Sequence, residues 1–135
     1  MQIHLKRGEK IYLNGAVVRV DRRTSLEFLN DVDFLLENHV IQAEEANTPL
    51  KQLYFVVQTM LIDPANSGIT LELFKHLLCR TSDALDSREL LTALEGASRK
   101  VSEGRYFDAL RLLRGAFGLE KQLMEARGAN EGMAS

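Results

Sequence analysis

The stretch KIYLNGAVVRV, residues 10–20, decides the fold class of the first third of the chain. Apolar and polar side chains alternate over residues 10–13, which is typical of a half-buried strand. Asn14 and Gly15 then separate this run from residues 16–20, which are rich in β-branched side chains. A type I′ turn needs positive φ at both central positions, and Asn-Gly supplies it. The stretch therefore predicts a two-residue β-hairpin.

Further apolar runs on either side predict additional strands. Residues 3–6 alternate in the same way, and the runs 26–29 and 32–36 are separated by an Asn-Asp pair typical of a turn. Residues 39–41 are expected to add a last short strand. Together these runs predict an antiparallel β meander of four to six strands over about residues 1–45.

The apolar period changes from two to about 3.6 after Asn47, which predicts helices for the rest of the chain. Thr48 followed by Pro49 is typical of an N-cap with proline in the first turn. Asp86 with Glu89 resembles a capping box for a later helix. Gly104 is expected to end that helix, and a further one follows. The chain is predicted to hold about four C-terminal α-helices.

Strands first and helices second predict an α+β fold. With 135 residues the chain is long enough for one core, so we expect a single domain over residues 1–127. Its β part covers about residues 1–45 and its helical part about residues 48–125. Residues 128–135 are expected to form a disordered tail.

The composition indicates a cytoplasmic protein. The chain has a single cysteine, which fits a reducing compartment, and no apolar run long enough to cross a membrane. Its basic N-terminal residues precede no apolar segment of the kind found in a secretory signal. We therefore expect a cytoplasmic location and no membrane association.

Charge is distributed unevenly along the chain. The net charge is −2, yet residues 1–23 carry six basic and two acidic side chains, whereas residues 24–46 carry six acidic and no basic ones. Clustered cations near an aromatic ring suit RNA phosphates and an unstacked base. The alternative is the ordinary polar face of a half-buried sheet. The candidate RNA-binding residues are Lys6, Arg7, Lys10, Tyr12, Arg19, Arg22 and Arg23.

No motif predicts catalysis, a metal site or a cofactor. His76 and Cys79 are one helical turn apart, but two ligands alone do not form a zinc site. Gly8-Glu9-Lys10 lacks the upstream glycine and the following Ser or Thr of a phosphate-binding P-loop. We therefore expect a protein that is not an enzyme and needs no cofactor.

A second candidate surface lies in the helical half. Residues 103–117, EGRYFDALRLLRGAF, resemble the first helix of a tetratricopeptide unit, although one copy cannot form a repeat array. The alternative is a helix that covers the sheet. Arg105, Arg111 and Arg114 lie outside the predicted apolar stripe, which makes them candidates for a protein-partner surface.

The chain as a whole resembles the FlbT family of flagellin regulators in alphaproteobacteria. The residues that carry the resemblance are LKRGEKIYLNGAVVRVDRR, residues 5–23, and LEFLNDVDFLLENHVIQAEEANTPLKQLYFVVQTMLI, residues 26–62. The resemblance implies a cytoplasmic regulator that acts on the 5′ untranslated leader of flagellin mRNA and lowers its translation or lifetime. In some members the net effect on flagellin is positive. It also implies FlaF, and flagellin itself, as protein partners.

A shorter similarity links residues 5–15 to the carbon storage regulator CsrA, a small β-sheet RNA binder. The best counterpart of its key arginine segment is Ile41–Glu45, where Ala43 stands at the arginine position. The similarity implies that the β half contacts RNA. The alternative hypothesis is an adaptor that binds a protein partner through its helical half. Exposed sheet edges also make a homodimer an expectation.

Overall fold

The hairpin at residues 10–19 forms as predicted in the computed structural model, which describes residues 1–128 in full and only the backbone of 129–134. Strands β2 (Lys10–Leu13) and β3 (Ala16–Arg19) pair antiparallel. Asn14 and Gly15 have φ of 46° and 86°, which is the backbone that a type I′ turn requires.

The remaining strands do not follow the order of a simple meander. Strand β1 (Gln2–Leu5) pairs with β4 (Thr24–Glu27), and β5 (Phe34–Leu36) pairs with β2, so the order is β1–β4 and β3–β2–β5. The segment at 39–41 is not a strand, because residues Glu37–His39 form a 3₁₀ turn instead. The antiparallel α+β class is confirmed. Residues 1–45, all of them described, hold five strands, and some of the paired strands are not neighbours in sequence.

The three-stranded sheet lies between two apolar cores. Ile11 packs on one face with Ile3, Leu5 and Phe34 in a small core. Tyr12, the next residue of β2, packs on the other face against a large core formed mainly by the helices. A strand buried on both faces carries apolar or aromatic side chains at successive positions, as β2 does at Ile11, Tyr12 and Leu13.

In the part of the chain that the structure describes, five α-helices follow the strands. They are α1 (Pro49–Ile62), α2 (Ser67–Ala84), α3 (Arg88–Ser102), α4 (Tyr106–Gly115) and α5 (Phe117–Ala134), with 3₁₀ turns at Ala43–Glu45 and Pro64–Asn66. The single last helix expected from the sequence is divided at Ala116, where the chain turns. The predicted disordered tail falls almost entirely on residues that the structure does not describe in full, and it stays a prediction.

Local signals explain two of the helix boundaries. The Thr48 hydroxyl accepts a hydrogen bond from the Lys51 N–H, as an N-cap does. Ser87 is the N-cap of α3, where its hydroxyl accepts from the Leu90 N–H, so the capping residue is one position after the predicted Asp86. Gly104 follows α3 with φ of 74°, as expected for a glycine that ends a helix.

Candidate nucleic-acid interface

Six cations gather at one end of the β part, which we call the basic corner: Lys6, Arg7, Lys10, Arg19, Arg22 and Arg23. Two chain reversals meet there, one between β1 and β2 and the other between β3 and β4. The Gly8 N–H donates to the Val20 carbonyl at 2.8 Å, and the Val20 N–H donates to the Glu9 carbonyl at 3.2 Å. These two hydrogen bonds join segments 11 to 12 residues apart and bring their basic side chains together.

The strand register completes the corner. Lys10 is the cross-strand partner of Arg19, and Leu5 at the end of β1 is the partner of Thr24 at the start of β4. Directly opposed like charges repel on a sheet. An anion placed between Lys10 and Arg19 would relieve that repulsion.

The basic corner is exposed and largely free of ion pairs. Five of its six side chains are exposed, and that of Lys10 is half-buried. Within the described residues, its one ion pair within 4 Å joins Arg22 Nε to Asp21 Oδ1 at 3.6 Å, between side chains that are 83% and 86% exposed. Such a pair contributes roughly 0–1 kcal/mol, so it competes weakly with a phosphate.

The acidic stretch that follows does not neutralise the corner by direct pairing. Glu37 comes nearest, where its carboxylate accepts a hydrogen bond from the Lys10 backbone N–H at 3.0 Å. Glu9 accepts from the Lys6 backbone N–H at 2.7 Å and so holds the turn itself. Over residues 1–46, all of them described, no acid of the stretch 24–46 forms an ion pair with a basic-corner side chain.

Tyr12 is half-buried and lies two positions after Lys10 on β2, so the two side chains share one face of the sheet. Its ring packs against the large core and lies between Val17 on β3 and Leu35 on β5. The sequence indicates a strand here but does not say which side of the sheet the helices cover. The role of Tyr12 as a stacking platform for a base stays a prediction.

The three helical arginines are not equivalent. Arg105 Nε lies 2.7 Å from Asp108 Oδ2, and Arg111 is exposed. Both border a cavity of about 510 Å³, whereas Arg114 does not. Arg114 is half-buried and belongs to a polar contact beneath α1.

The contact beneath α1 holds the segment after β5. The Tyr54 hydroxyl donates to the His39 carbonyl, and burial raises the pKa of Tyr54 while the neighbouring Arg114 guanidinium opposes that rise. Burial, and then the same guanidinium, lowers the pKa of His39 below its ordinary value of 6.5. The Gln58 amide both donates to the Ile41 carbonyl and accepts from the Ile41 N–H, at 2.8 and 2.9 Å.

Two carboxylates act as helix caps from distant segments. Asp33 Oδ1 accepts from the Phe107 N–H at the start of α4, at 3.1 Å, and Glu120 Oε2 accepts from the Leu50 N–H at the start of α1, at 2.9 Å. Their partners are 74 and 70 residues away in sequence. No local pattern marks either residue as a cap, which is why sequence reasoning missed both.

Within the fully described residues no cluster of three or more His, Cys, Asp or Glu side chains is arranged to hold a metal ion. None of the α-helices in that part of the chain combines the length and the hydropathy needed to cross a bilayer. What the fold and site define is a small α+β protein with a cationic corner suited to an anionic polymer.

Comparison with known proteins identifies the family to which this chain belongs. Residues 1–124 match the family described as flagellar protein FlbT. The chain is 48% identical over 124 residues to the "Probable flagellum biosynthesis repressor protein FlbT" of Allorhizobium ampelinum, which covers 92% of this chain and 83% of that protein. Identically named proteins of Chelativorans sp. and Mesorhizobium japonicum are each 46% identical, covering 93% and 97% of this chain and 86% and 87% of theirs.

This chain therefore belongs to the FlbT family, as the resemblance over residues 5–62 predicts. No solved structure matches it.

Proposed function

We propose that this protein is a cytoplasmic regulator, not an enzyme, that represses flagellum biosynthesis by binding the 5′ untranslated leader of flagellin mRNA through its basic corner. The relatives named as probable repressors of flagellum biosynthesis support the regulatory role. The observation that carries the RNA contact is the convergence of six cations on two hydrogen-bonded reversals. Binding would then lower translation of the message or promote its decay.

The number of phosphate contacts at the basic corner determines how strongly binding depends on salt. Each phosphate contact to single-stranded RNA contributes about 0.7 to the slope of log affinity against log salt. If both Arg22 and Arg23 contact phosphates, their replacement lowers the magnitude of that slope by about 1.4. Neighbouring side chains on a strand point to opposite faces, so the six cations do not all contact one ligand. Arg22 and Arg23 lie in the segment that connects β3 and β4, and these two residues are the first to be mutated.

The experiment measures leader RNA binding by fluorescence anisotropy at several salt concentrations. We expect Arg22→Glu/Arg23→Glu to weaken binding and flatten the salt dependence, with the circular dichroism spectrum unchanged. The matched control is Arg80→Glu/Arg88→Glu, which reverses two exposed arginines on α2 and α3. Equal losses in both double variants, or no loss in either, would refute the basic corner as the RNA site.

A second candidate function is a protein adaptor that grips FlaF or flagellin through the helical half and affects mRNA indirectly. Its support is an exposed apolar pair one turn apart on α2, since Ile69 is 78% and Leu73 is 49% exposed. Copurification from cells with and without ribonuclease separates the two functions. A partner that survives ribonuclease, with no RNA crosslinked to residues 1–25, would favour the adaptor.

Self-association is a further proposal. Strand β3 lies at the edge of its sheet with all four side chains exposed, including Val17 at 58% and Val18 at 38%. An unpaired edge offers backbone groups to a second strand. Light scattering on Val17→Lys, compared with the unaltered chain, tests whether a homodimer forms through this edge.

A further inference from the structure

A cavity of about 510 Å³ lies at the far end of the β1–β4 ribbon from the basic corner, between the loop after β4 and the start of α4. Its volume falls within the range of small-ligand sites, about 300–1,000 Å³. Phe28, Phe34 and Phe107 form an aromatic wall, in which Phe34 is buried and the accessible ring surface comes from the half-buried Phe28 and Phe107. The Phe34 and Phe107 rings are stacked with centroids 4.4 Å apart, and the Phe28 and Phe34 centroids are 4.9 Å apart.

Some of the charged side chains around the cavity already make a hydrogen bond or an ion pair, and others are free to contact a ligand. Asp33 caps α4, and Asp108 is paired with Arg105. Asp31 and Arg111 are both exposed at the cavity, and within the described residues neither makes an ion pair or a side-chain hydrogen bond. The cavity therefore presents one free carboxylate and one free guanidinium beside an aromatic wall.

This combination matches one kind of base. Guanine alone among the RNA bases carries two adjacent donors, N1–H and N2–H₂, on its Watson–Crick edge, and one carboxylate accepts from both. An unstacked base also packs on aromatic side chains, and a guanidinium pairs with phosphate oxygens. Adenine presents an acceptor at N1 and would leave the carboxylate without a partner there.

We propose that this cavity binds one unpaired guanine nucleotide, with the Asp31 carboxylate on the base edge and the Arg111 guanidinium on the phosphate. As a site in the flagellin leader, the inference rests on the proposed function. The four residue pairs of the β1–β4 ribbon span about 10 Å, since a strand advances about 3.4 Å per residue. A single strand held at the basic corner would reach the cavity within a few nucleotides.

The test titrates the full chain, labelled with ¹⁵N, with GMP, AMP and inorganic phosphate separately and follows amide chemical shifts. We expect GMP to produce saturable shifts at Asp31 and Phe107 and to bind at least about tenfold more tightly than AMP, because a paired set of hydrogen bonds discriminates between bases to that extent. Among the cavity residues, inorganic phosphate is expected to shift the neighbourhood of Arg111 only, besides any shifts at the basic corner.

Two variants locate the contacts. Asp31→Asn keeps the size of the side chain but replaces one of the two acceptor oxygens with an NH₂ donor, so it cannot accept from N1–H and N2–H₂ side by side and the preference for GMP over AMP should disappear. Arg111→Gln should weaken GMP and AMP binding alike. Arg88→Gln, an exposed arginine of α3 outside the cavity, serves as the control and should change neither.

Equal affinities for GMP and AMP, shifts produced equally by phosphate alone, or no saturable shift would each overturn the inference. Shifts at the cavity produced by a FlaF or flagellin polypeptide, without any from GMP, would assign it to a protein partner and overturn it as well. Leader RNA that binds the basic corner without a GMP site refutes the cavity alone. A GMP site without leader binding refutes the proposed function and leaves the cavity as a nucleotide site.

Discussion

Removal of the Glu120 carboxylate should destabilise the central helix from a position 70 residues away. Glu120 is only 3% exposed, and its Oε2 accepts from the Leu50 N–H at 2.9 Å. Leu50 itself is fully buried in the native structure, so its N–H depends on the Glu120 carboxylate for an acceptor. The change Glu120→Ala leaves a buried backbone donor without a partner in the first turn of α1.

The magnitude follows from that unpaired donor. A buried donor that loses its acceptor costs about 1–3 kcal/mol, and loss of an N-cap costs about 0.5–2 kcal/mol. The two estimates describe the same hydrogen bond, so we expect Glu120→Ala to lower the free energy of unfolding by about 2 kcal/mol. Glu120→Gln keeps an oxygen acceptor and loses only the charge at the helix terminus, about 0.3–1 kcal/mol.

Urea unfolding followed by circular dichroism measures the effect. For a urea dependence of about 1–3 kcal/mol per molar, a loss of about 2 kcal/mol lowers the midpoint by roughly 1 M. Glu125→Ala, an exposed site on the same helix, is the control and should change the midpoint little. If Glu120→Ala and Glu120→Gln unfold at the same midpoint, the capping argument is wrong.

Two more predictions concern pH and backbone conformation. Burial is the main cause that raises the pKa of Asp33 above its ordinary 3.8, so the folded state holds this proton more tightly than the unfolded state does. The resulting stability is present below pH 3.8 and is lost as pH rises through the raised folded pKa. Asp33→Asn retains an acceptor for the Phe107 N–H and should flatten that loss in urea unfolding measured at increasing pH above 3.8; an unchanged pH profile would contradict it. Gly15→Ala should cost about 1–2 kcal/mol, because φ is 86° and the added Cβ would lie 3.2 Å from Pro64 Cγ. Gly118→Ala in α5, where no atom lies within 4 Å of the added Cβ, should be neutral or stabilising, and equal thermal shifts in the two variants would refute the turn argument.

Short-range signals predicted much of this fold. Asn14-Gly15 specifies its turn through backbone conformation alone, and Thr48 caps α1 from the adjacent position. Such features depend on neighbours within four residues, so periodicity and composition are sufficient to find them.

The sequence did not predict which distant strands pair with each other. Nothing near Leu5 indicates that it pairs with Thr24 and not with the next strand, because that choice goes with the hydrogen bonds that Val20 makes to Gly8 and Glu9. The same limit applies to the candidate site. The basic residues were found from charge alone, whereas the partial burial of Tyr12 depends on which sheet face the helices cover.

The cap on α1 has a consequence for the newly made chain. Leu50 is synthesised 70 residues before Glu120. At a translation rate of about 5–20 residues per second, that interval lasts roughly 4–14 s. During this time the first turn of the central helix lacks its buried acceptor. The native structure around α1 is therefore completed only after residue 120 has been synthesised, and a nascent chain arrested before that residue would display an unfinished helix to proteases and chaperones.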